Sequence, residues 1–400
     1  MAGPLTGVKI VEFAGQGAAP FAAMMLADHG ADVTRICRMG AGAVDPSSGM
    51  RAEHDVLLRS RRTLEIDLST EEGQSVARDI VAASDGLIEG FRPGVMERLG
   101  LGPDQLLKRN PRLVYGRMTG WGQTGINSGQ GGHDINYIAA TGALHACGRA
   151  GAPPVPPLNL VGDFGGGGML LAFAMVSAIL SARGSGEGQV IDCAMTDGSA
   201  LLMSMIWSLH AERRWQDERG ANMLDGGAPF YRTYETADGK YLAVGAIEEK
   251  FHAALIEALG LPADPDGRAH WNPSRWPEQH AMLEAHFRTR TRDQWCAALA
   301  EVDCCVTPVL SLAEVASHPV NMGREAYLTI DDVVQPAPAP RYSRSTLDRP
   351  RMSGAGEDPQ VVLKGLGYSE DEIERLVKAG VLGGGGRQGR ELPKASERTN

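Results

Sequence analysis

The sequence has no CxxC pair. Its six cysteines (Cys37, Cys147, Cys193, Cys296, Cys304 and Cys305) follow no spacing that would frame zinc or a set of disulfides. Reduced thiols, a cytoplasmic location and no bound metal are the expectation. Cations are also in deficit: 39 lysines and arginines against 49 aspartates and glutamates leave a formal charge of −10. That balance argues against nucleic acid as the main partner, and an anionic ligand would need local basic residues to hold it. No basic flank with an apolar leader precedes the first strand pattern. No apolar run reads as long enough to span a bilayer, so no membrane partner is expected. There is no internal repeat. What remains is a globular mixture, 43% hydrophobic and 22% charged over 400 residues, enough for two domains.

Residues 8–13 read as a strand, Gly15-Gln16-Gly17 as a turn, 20–28 as a helix stopped by Gly30, and 32–36 as a second strand. This is a βαβ unit with half of a dinucleotide fingerprint. Pro20 occupies the third glycine position, and the second strand runs into Arg38 where an acid would hold a ribose. A nicotinamide is therefore disfavoured, and a phosphate at Arg38 is favoured. Further strand patterns lie at 63–68, 86–89, 113–118 and 188–193. Helices lie between them, the first opened by a capping box at Ser69-Thr70-Glu71-Glu72. Such alternation predicts a mainly parallel sheet with ligands at the strand C-terminal ends. Arg92, just before a short helix at 93–99, is a second candidate phosphate contact.

A Met- and Leu-rich helix at 199–211 leads away. A hairpin follows at 231–236 and 240–245 around Asp238-Gly239, then helices at 249–259 and 276–299. The fold class is thus α/β, a Rossmann-like large domain with a smaller α+β domain. The expected boundaries are 1–195 for the large domain, 196–224 for a linker helix and 225–325 for the small domain. Residues 326–380 would return to the large domain, and 381–400 would form a flexible tail. The apolar run 169–180 is short for a membrane span and is expected to be a buried core helix.

Two junctions carry the chemistry. Gly132-His133-Asp134-Ile135-Asn136-Tyr137 delivers an imidazole just ahead of a helical pattern. Asn159-Leu160-Val161-Gly162-Asp163-Phe164, with Gly165 to Gly168, delivers a carboxylate ahead of another. Helix starts offer unpaired N–H groups and a positive dipole end. An acid or base on each side of a carbonyl compound suits removal and return of a proton. Simple helix capping by His133 and Asp163 is the plainer alternative.

Five blocks then fall in order: Gly132 to Tyr137; Leu158-Asn159-Leu160 with Asp163; Asn222-Met223-Leu224-Asp225-Gly226-Gly227-Ala228-Pro229; Val244-Gly245-Ala246-Ile247-Glu248; and Cys305-Val306-Thr307-Pro308-Val309. Together they resemble the alpha-methylacyl-CoA racemases of the class III (family III) CoA-transferase superfamily, from residue 4 to about 345. The resemblance implies an interlocked homodimer with an active site shared between one chain's large domain and the other's small domain. It implies no metal and no cofactor, coenzyme A being part of the acyl-CoA thioester substrate. The implied reaction interconverts (2R)- and (2S)-2-methylacyl-CoA by 1,1-proton transfer through an enolate.

On that resemblance His133 serves one face and Asp163 the other, and Glu248 of the second chain orients His133. Asp134 is either a second orienter or helix N-terminal charge. Glu65, Ile66, Asp67 and Leu68 would pass along the adenosine, and Gly132, Ile135, Asn136 and Tyr137 would lie against the substrate. Two departures stand out. Cys37 and Met39 flank Arg38 where the family more often has Asp and Pro, and Glu249-Lys250 replaces a Pro-Gln pair. The alternative within the superfamily is a CoA-transferase with Asp163 as nucleophile. A transferase needs one carboxylate and no imidazole on the opposite face, so His133 favours the racemase. An acyl-CoA-binding protein without turnover would have no use for His133, Asp163 and Glu248 together.

Overall fold

The computed structural model describes residues 2–41, 50–263, 269–352 and 359–384. The chain divides into two compact units. The first is built from the stretch up to Gly131, Asp163–Gly198 and the chain from Leu328 onward; the second from Gly132–Gly162 and Ser199–Tyr327.

The first unit is a six-stranded sheet in the order β3-β2-β1-β4-β5-β6. Its strands are β1 (Lys9–Phe13), β2 (Asp32–Cys37), β3 (Arg62–Glu65), β4 (Gly86–Glu89), β5 (Val114–Thr119) and β6 (Gln189–Ala194). All neighbouring strands pair in parallel. β1 is apolar on both faces because both are covered. Ile10, with Val33 and Ile88, packs against α1 (Ala18–Asp28) and the helix Leu170–Ser185. Val11 and Phe13, with Ile36 and Leu87, pack against α2 (Glu71–Ala82) and the helix Glu370–Lys378. The order reverses between β1 and β4, which opens a crevice at the strand C-terminal ends.

Several local expectations are corrected. Thr70, not Ser69, caps α2, accepting from the Gly73 N–H at 3.0 Å. The strand at 63–68 ends at Glu65, and Ile66 continues as a bridge to Leu382. A helix at Pro103–Arg109, started by proline in its first turn, was not anticipated. The helix expected at 199–211 is two, Met195–Leu202 and Ser204–Ala211.

The larger correction concerns the glycine run. Gly165 to Gly168 do not break the chain but continue a π-helix, Leu160–Met169, straight into the helix Leu170–Ser185. Phe164 stacks on Phe21 of α1 with ring centroids 4.6 Å apart, which holds the π-helical turn down. The joined run of 26 residues is long and apolar enough to cross a bilayer by length and composition, contrary to the expectation from the sequence. Leu171, Met175, Ala178 and Ala182 bury one side of it in the first unit's core. Phe173 and Leu180, at 70% and 73% exposure, show that burial is one-sided where a fully buried helix was expected.

The second unit is an antiparallel sheet, β7 (Tyr231–Glu235), β8 (Tyr241–Gly245) and β9 (Val306–Pro308), paired in that order. β9 is too short to carry an alternating pattern and was not anticipated. Tyr234, Leu242, Val244, Leu255, Phe287 and Trp295 form the core between this sheet and the helices Glu249–Ala258, Trp276–Phe287 and Arg292–Ala298. The division differs from the expected boundaries. Residues 132–162, expected within the large domain, belong to the second unit, as do the residues from 199 to 224 of the expected linker.

Among the bonds that fasten the C-terminal return to the rest of the first unit are those of Arg59 and those of the 65–67 segment. Arg59 grips Asp28 with two hydrogen bonds, Nε to Oδ1 at 3.1 Å and Nη2 to Oδ2 at 2.5 Å. Its Nη1 donates to Gln335 Oε1 at 3.0 Å and the Pro336 carbonyl at 2.7 Å. Further on, Asp67 N–H donates to Val381 O and Gly383 N–H to Glu65 O, both at 2.9 Å. Val381 and Leu382, expected to head a flexible tail, are therefore buried. Beyond Gly384 that tail lies outside the described residues.

Asp28 and Arg59 are both buried, and burial pushes the Asp28 carboxyl up against the pull of Arg59. Arg59→Met leaves that carboxyl without its partner and should cost about 3–5 kcal/mol in urea unfolding. Asp28→Leu added to Arg59→Met removes both charges and should recover most of the loss. A single variant within about 1 kcal/mol of the parent would mean that the pair is no tie.

Candidate active site

In the first unit the site begins at the turn after β1, beside the switch point. Gly17 has φ 61° and leads into α1. A Cβ there would lie 2.8 Å from Asp163 Oδ2 and 3.2 Å from its Cγ, so the carboxylate is packed on bare backbone. Asp163 was expected ahead of a helix; it lies inside the first turn of the π-helix instead, still at the positive end. π-Helical turns are rare and concentrate at functional sites.

The two arginines follow strand C-terminal ends. Arg38 is exposed just past β2, and Cys37 before it is buried, with its thiol pushed up to about 12 by desolvation. Arg92 is exposed after β4, its Nη2 3.2 Å from where a Gly131 Cβ would stand. The turn carrying it is fixed by Glu89, which accepts from Phe91 N–H at 2.7 Å and Arg117 Nε at 3.0 Å. Burial pushes Glu89 up to about 7 while Arg117 holds it as an ion-pair partner. Of the segment expected along an adenosine, Ile66 is fully buried in the core and gives its N–H to Cys37 O. Its side chain has no surface to offer a ligand. Asp67 accepts from Ser69 Oγ at 2.6 Å and from Ser69 N–H at 3.0 Å, which holds its carboxyl low. Glu65 and Leu68 are half-buried.

In the second unit His133 is the N-cap of the helix Asp134–Ala140, with extended backbone and an exposed side chain. Its N–H donates to Asn136 Oδ1 at 3.0 Å, and Tyr137 Oη–H donates to the Gly132 carbonyl at 2.5 Å. Asn136 and Tyr137 thus shape the loop that presents the imidazole, while Ile135 is 44% exposed and open to a ligand. Asp134 is buried and lies so close to Gly162 that a Cβ there would stand 2.5 Å from its Oδ1. Leu158, just before Asn159, adopts φ 56°, a conformation bulky side chains rarely hold. Glu248 is the N-cap of the helix Glu249–Ala258, yet its exposed side chain makes no cap hydrogen bond.

Pairing in the sheet also creates what no local signal in the sequence foretold. A cleft of about 750 Å³ lies in this unit, lined by Tyr231, Thr233, Ala243 and Gly245 with Arg149 and Arg232. The chain passes between units at Gly131–Gly132 and again at Gly162–Asp163. Both junctions singled out in the sequence sit at these crossings.

If Gly17 is glycine because Asp163 lies on it, the two positions are coupled. Gly17→Ala should cost about 1–2 kcal/mol from backbone handedness alone and more from the clash. In an Asp163→Ala background the clash part should vanish, so a double-mutant cycle by urea unfolding should return a clear interaction energy. Strict additivity would show that the contact is not tight.

The profile of CoA-transferase family III matches residues 5–360. Alpha-methylacyl-CoA racemase of Mus musculus is 43% identical over 379 residues, covering 93% of this chain and 96% of its own length. The Homo sapiens alpha-methylacyl-CoA racemase is 41% identical over the same span and shares. A CaiB/BaiF family protein from Brucella suis has the same fold, with TM-score 0.73 at 24% identity, covering 95% of this chain and all of that one. With its parallel sheet, its second unit and this match over most of its length, the chain belongs to CoA-transferase family III.

Proposed function

We propose that this chain is a racemase that interconverts (2R)- and (2S)-2-methylacyl-CoA thioesters. The reading is supported most by its 43% identity to an alpha-methylacyl-CoA racemase over nearly the whole chain. The Asp163 carboxylate on Gly17, at the crevice where parallel sheets of this order bind ligands, supports it independently. In one direction neutral His133 removes the alpha proton from one face. The electron pair moves onto the thioester oxygen as an enolate, and backbone N–H groups near Asp163 hold that oxygen. Asp163, as the carboxylic acid, then delivers a proton to the opposite face. The reverse direction exchanges the two roles. Arg38 and Arg92 take the phosphates of coenzyme A, and no metal or redox step enters.

The working form is a homodimer in which Glu248 of the partner orients His133. An exposed Glu248 carboxylate that makes no cap bond supports this. So does apolar surface exposed on each unit: Phe173 and Leu180 on the first, Leu201, Leu202, Met205 and Trp207 on the second. Six free thiols fit a reducing, cytoplasmic setting.

The two-base scheme makes the single variants fail asymmetrically. Followed by NMR in deuterated water, Asp163→Ala should exchange the alpha proton of one enantiomer with retention and leave the other nearly inert. His133→Ala should show the opposite preference, and inversion should collapse in both. One variant dead towards both enantiomers with the other near normal would point to a single base. Absence of alpha exchange in the parent enzyme, or an acyl adduct on Asp163 trapped by hydroxylamine, would instead mark a transferase.

Sharing of the site is tested by mixing. His133→Ala and Glu248→Ala chains, each inactive alone, should regain activity when exchanged, because each heterodimer holds one intact site. No recovery despite proven subunit exchange would place both groups in one chain.

A further inference from the structure

Glu248 leaves β8 through Ala246 and Ile247. Ala246 is fully buried, and the Ile247 N–H closes back on the Gly245 carbonyl at 2.9 Å. The Ile247 carbonyl lies just ahead of the N-cap, outside the helix ladder, and needs a donor from elsewhere. His270 Nε2 meets it at 3.3 Å. A carbonyl only accepts, so Nε2 carries the proton in this bond.

His270 has little freedom to do anything else. It is fully buried, and its ring lies on that of His252 with centroids 4.3 Å apart and planes 16° from parallel. His252 is itself in the first turn after Glu248, its N–H donating to the Glu248 carbonyl at 3.0 Å. Phe230 stands edge-on to both imidazoles, at 5.2 Å from His270 and 6.4 Å from His252. Trp276 Nε1 donates to the His270 carbonyl at 2.7 Å, fixing the backbone behind the ring. The imidazole is therefore held from behind and from its face, with a directed bond from Nε2 ending at the residue before Glu248.

Resting on the racemase reading, we propose that His270 is a positioning residue for Glu248: it fixes the Ile247 peptide, and through it the direction in which the Glu248 carboxylate leaves the helix start. Such a residue acts on the transition state and not on coenzyme A. A small misplacement of an orienting group lowers turnover far more than binding. His252 and Phe230 serve as the wall that keeps the imidazole in plane.

The test uses the full-length enzyme, with alpha-proton exchange of single-enantiomer 2-methylacyl-CoA read by NMR and melting followed in parallel. His270→Phe keeps a buried ring and loses the donor; kcat should fall about tenfold or more, with KM nearly unchanged. His270→Gln, whose Nε2 reaches about as far as the imidazole Nε2, should recover most of the loss. In a Glu248→Gln background, His270→Phe should cost nothing further, whereas a merely structural role would cost the same factor again. Full additivity, or His270→Gln no better than His270→Phe, overturns the proposal. Should His270→Phe melt early, His270→Gln is compared with His270→Asn, whose amide falls short of Ile247. Gln active and Asn impaired at equal melting upholds the role, and equal activities overturn it. If the parent shows no exchange, the racemase reading falls and the role falls with it. If the parent exchanges and Glu248→Gln is impaired while His270→Phe is normal, only the role of His270 falls.

Discussion

A carboxylate can rest on a strand-end turn only where the turn presents no side chain. That close approach, Asp163 on Gly17, is the constraint from which much of the first unit follows. It demands a residue without a Cβ after β1, and Gly17 there also holds a positive φ. It also demands that the segment bearing Asp163 lie flat against α1, which the Phe164–Phe21 stack secures. Glycines at 165 to 168 allow this segment to widen into a π-helix without side chains in the way. Aspartate in its first turn then has helix N–H groups beside it. The rare helical form and the close approach of Asp163 to Gly17 occur in the same turn.

How much of this can be read from the sequence depends on the range of the interaction that decides each feature. The parallel sheet was legible because strands covered on both faces are apolar throughout, and helices separate them. His133 stood out as a proton-transfer side chain in an irregular run, and it is the N-cap it was expected to be. The glycine run misled, since Gly165 to Gly168 taken locally disfavour a helix and tertiary contact reverses that preference. Ile66 misled differently. Alternation along a strand gives two faces, but only the fold shows which one lies in the core. The contact of Asp134 with Gly162 joins residues far apart in sequence, and neither carries a signal of the other. The place where Val381 and Leu382 pair was equally invisible, because a Gly-rich neighbourhood reads as tail.

Charge is handled differently in the interior and at the rim. Under α1, Asp28 with Arg59 and Glu12 with Arg61 are buried ion pairs, and Arg35 on β2 is buried near them. Such pairs add little net stability, because desolvation opposes attraction, but losing one partner is costly. Three residues further along the same strand direction, Arg38 is exposed. Interior arginines tie segments together, and rim arginines remain open to an anionic ligand despite the overall negative charge.

The pairing of the 65–67 segment with residues 381–383 can form only after nearly all of the chain between them has been made. Ile66 and Leu382 are roughly 300 residues apart, so the sheet edge beyond β3 emerges from the ribosome long before its cover exists. At ordinary elongation rates the wait is on the order of tens of seconds. During that time the growing chain carries a bare strand edge, the feature by which sheets join other chains. Synthesis of the second unit fills much of the interval. A chaperone that shields the early sheet, or a ribosome that does not pause while the middle of the chain is read, would protect this fold at its most vulnerable stage.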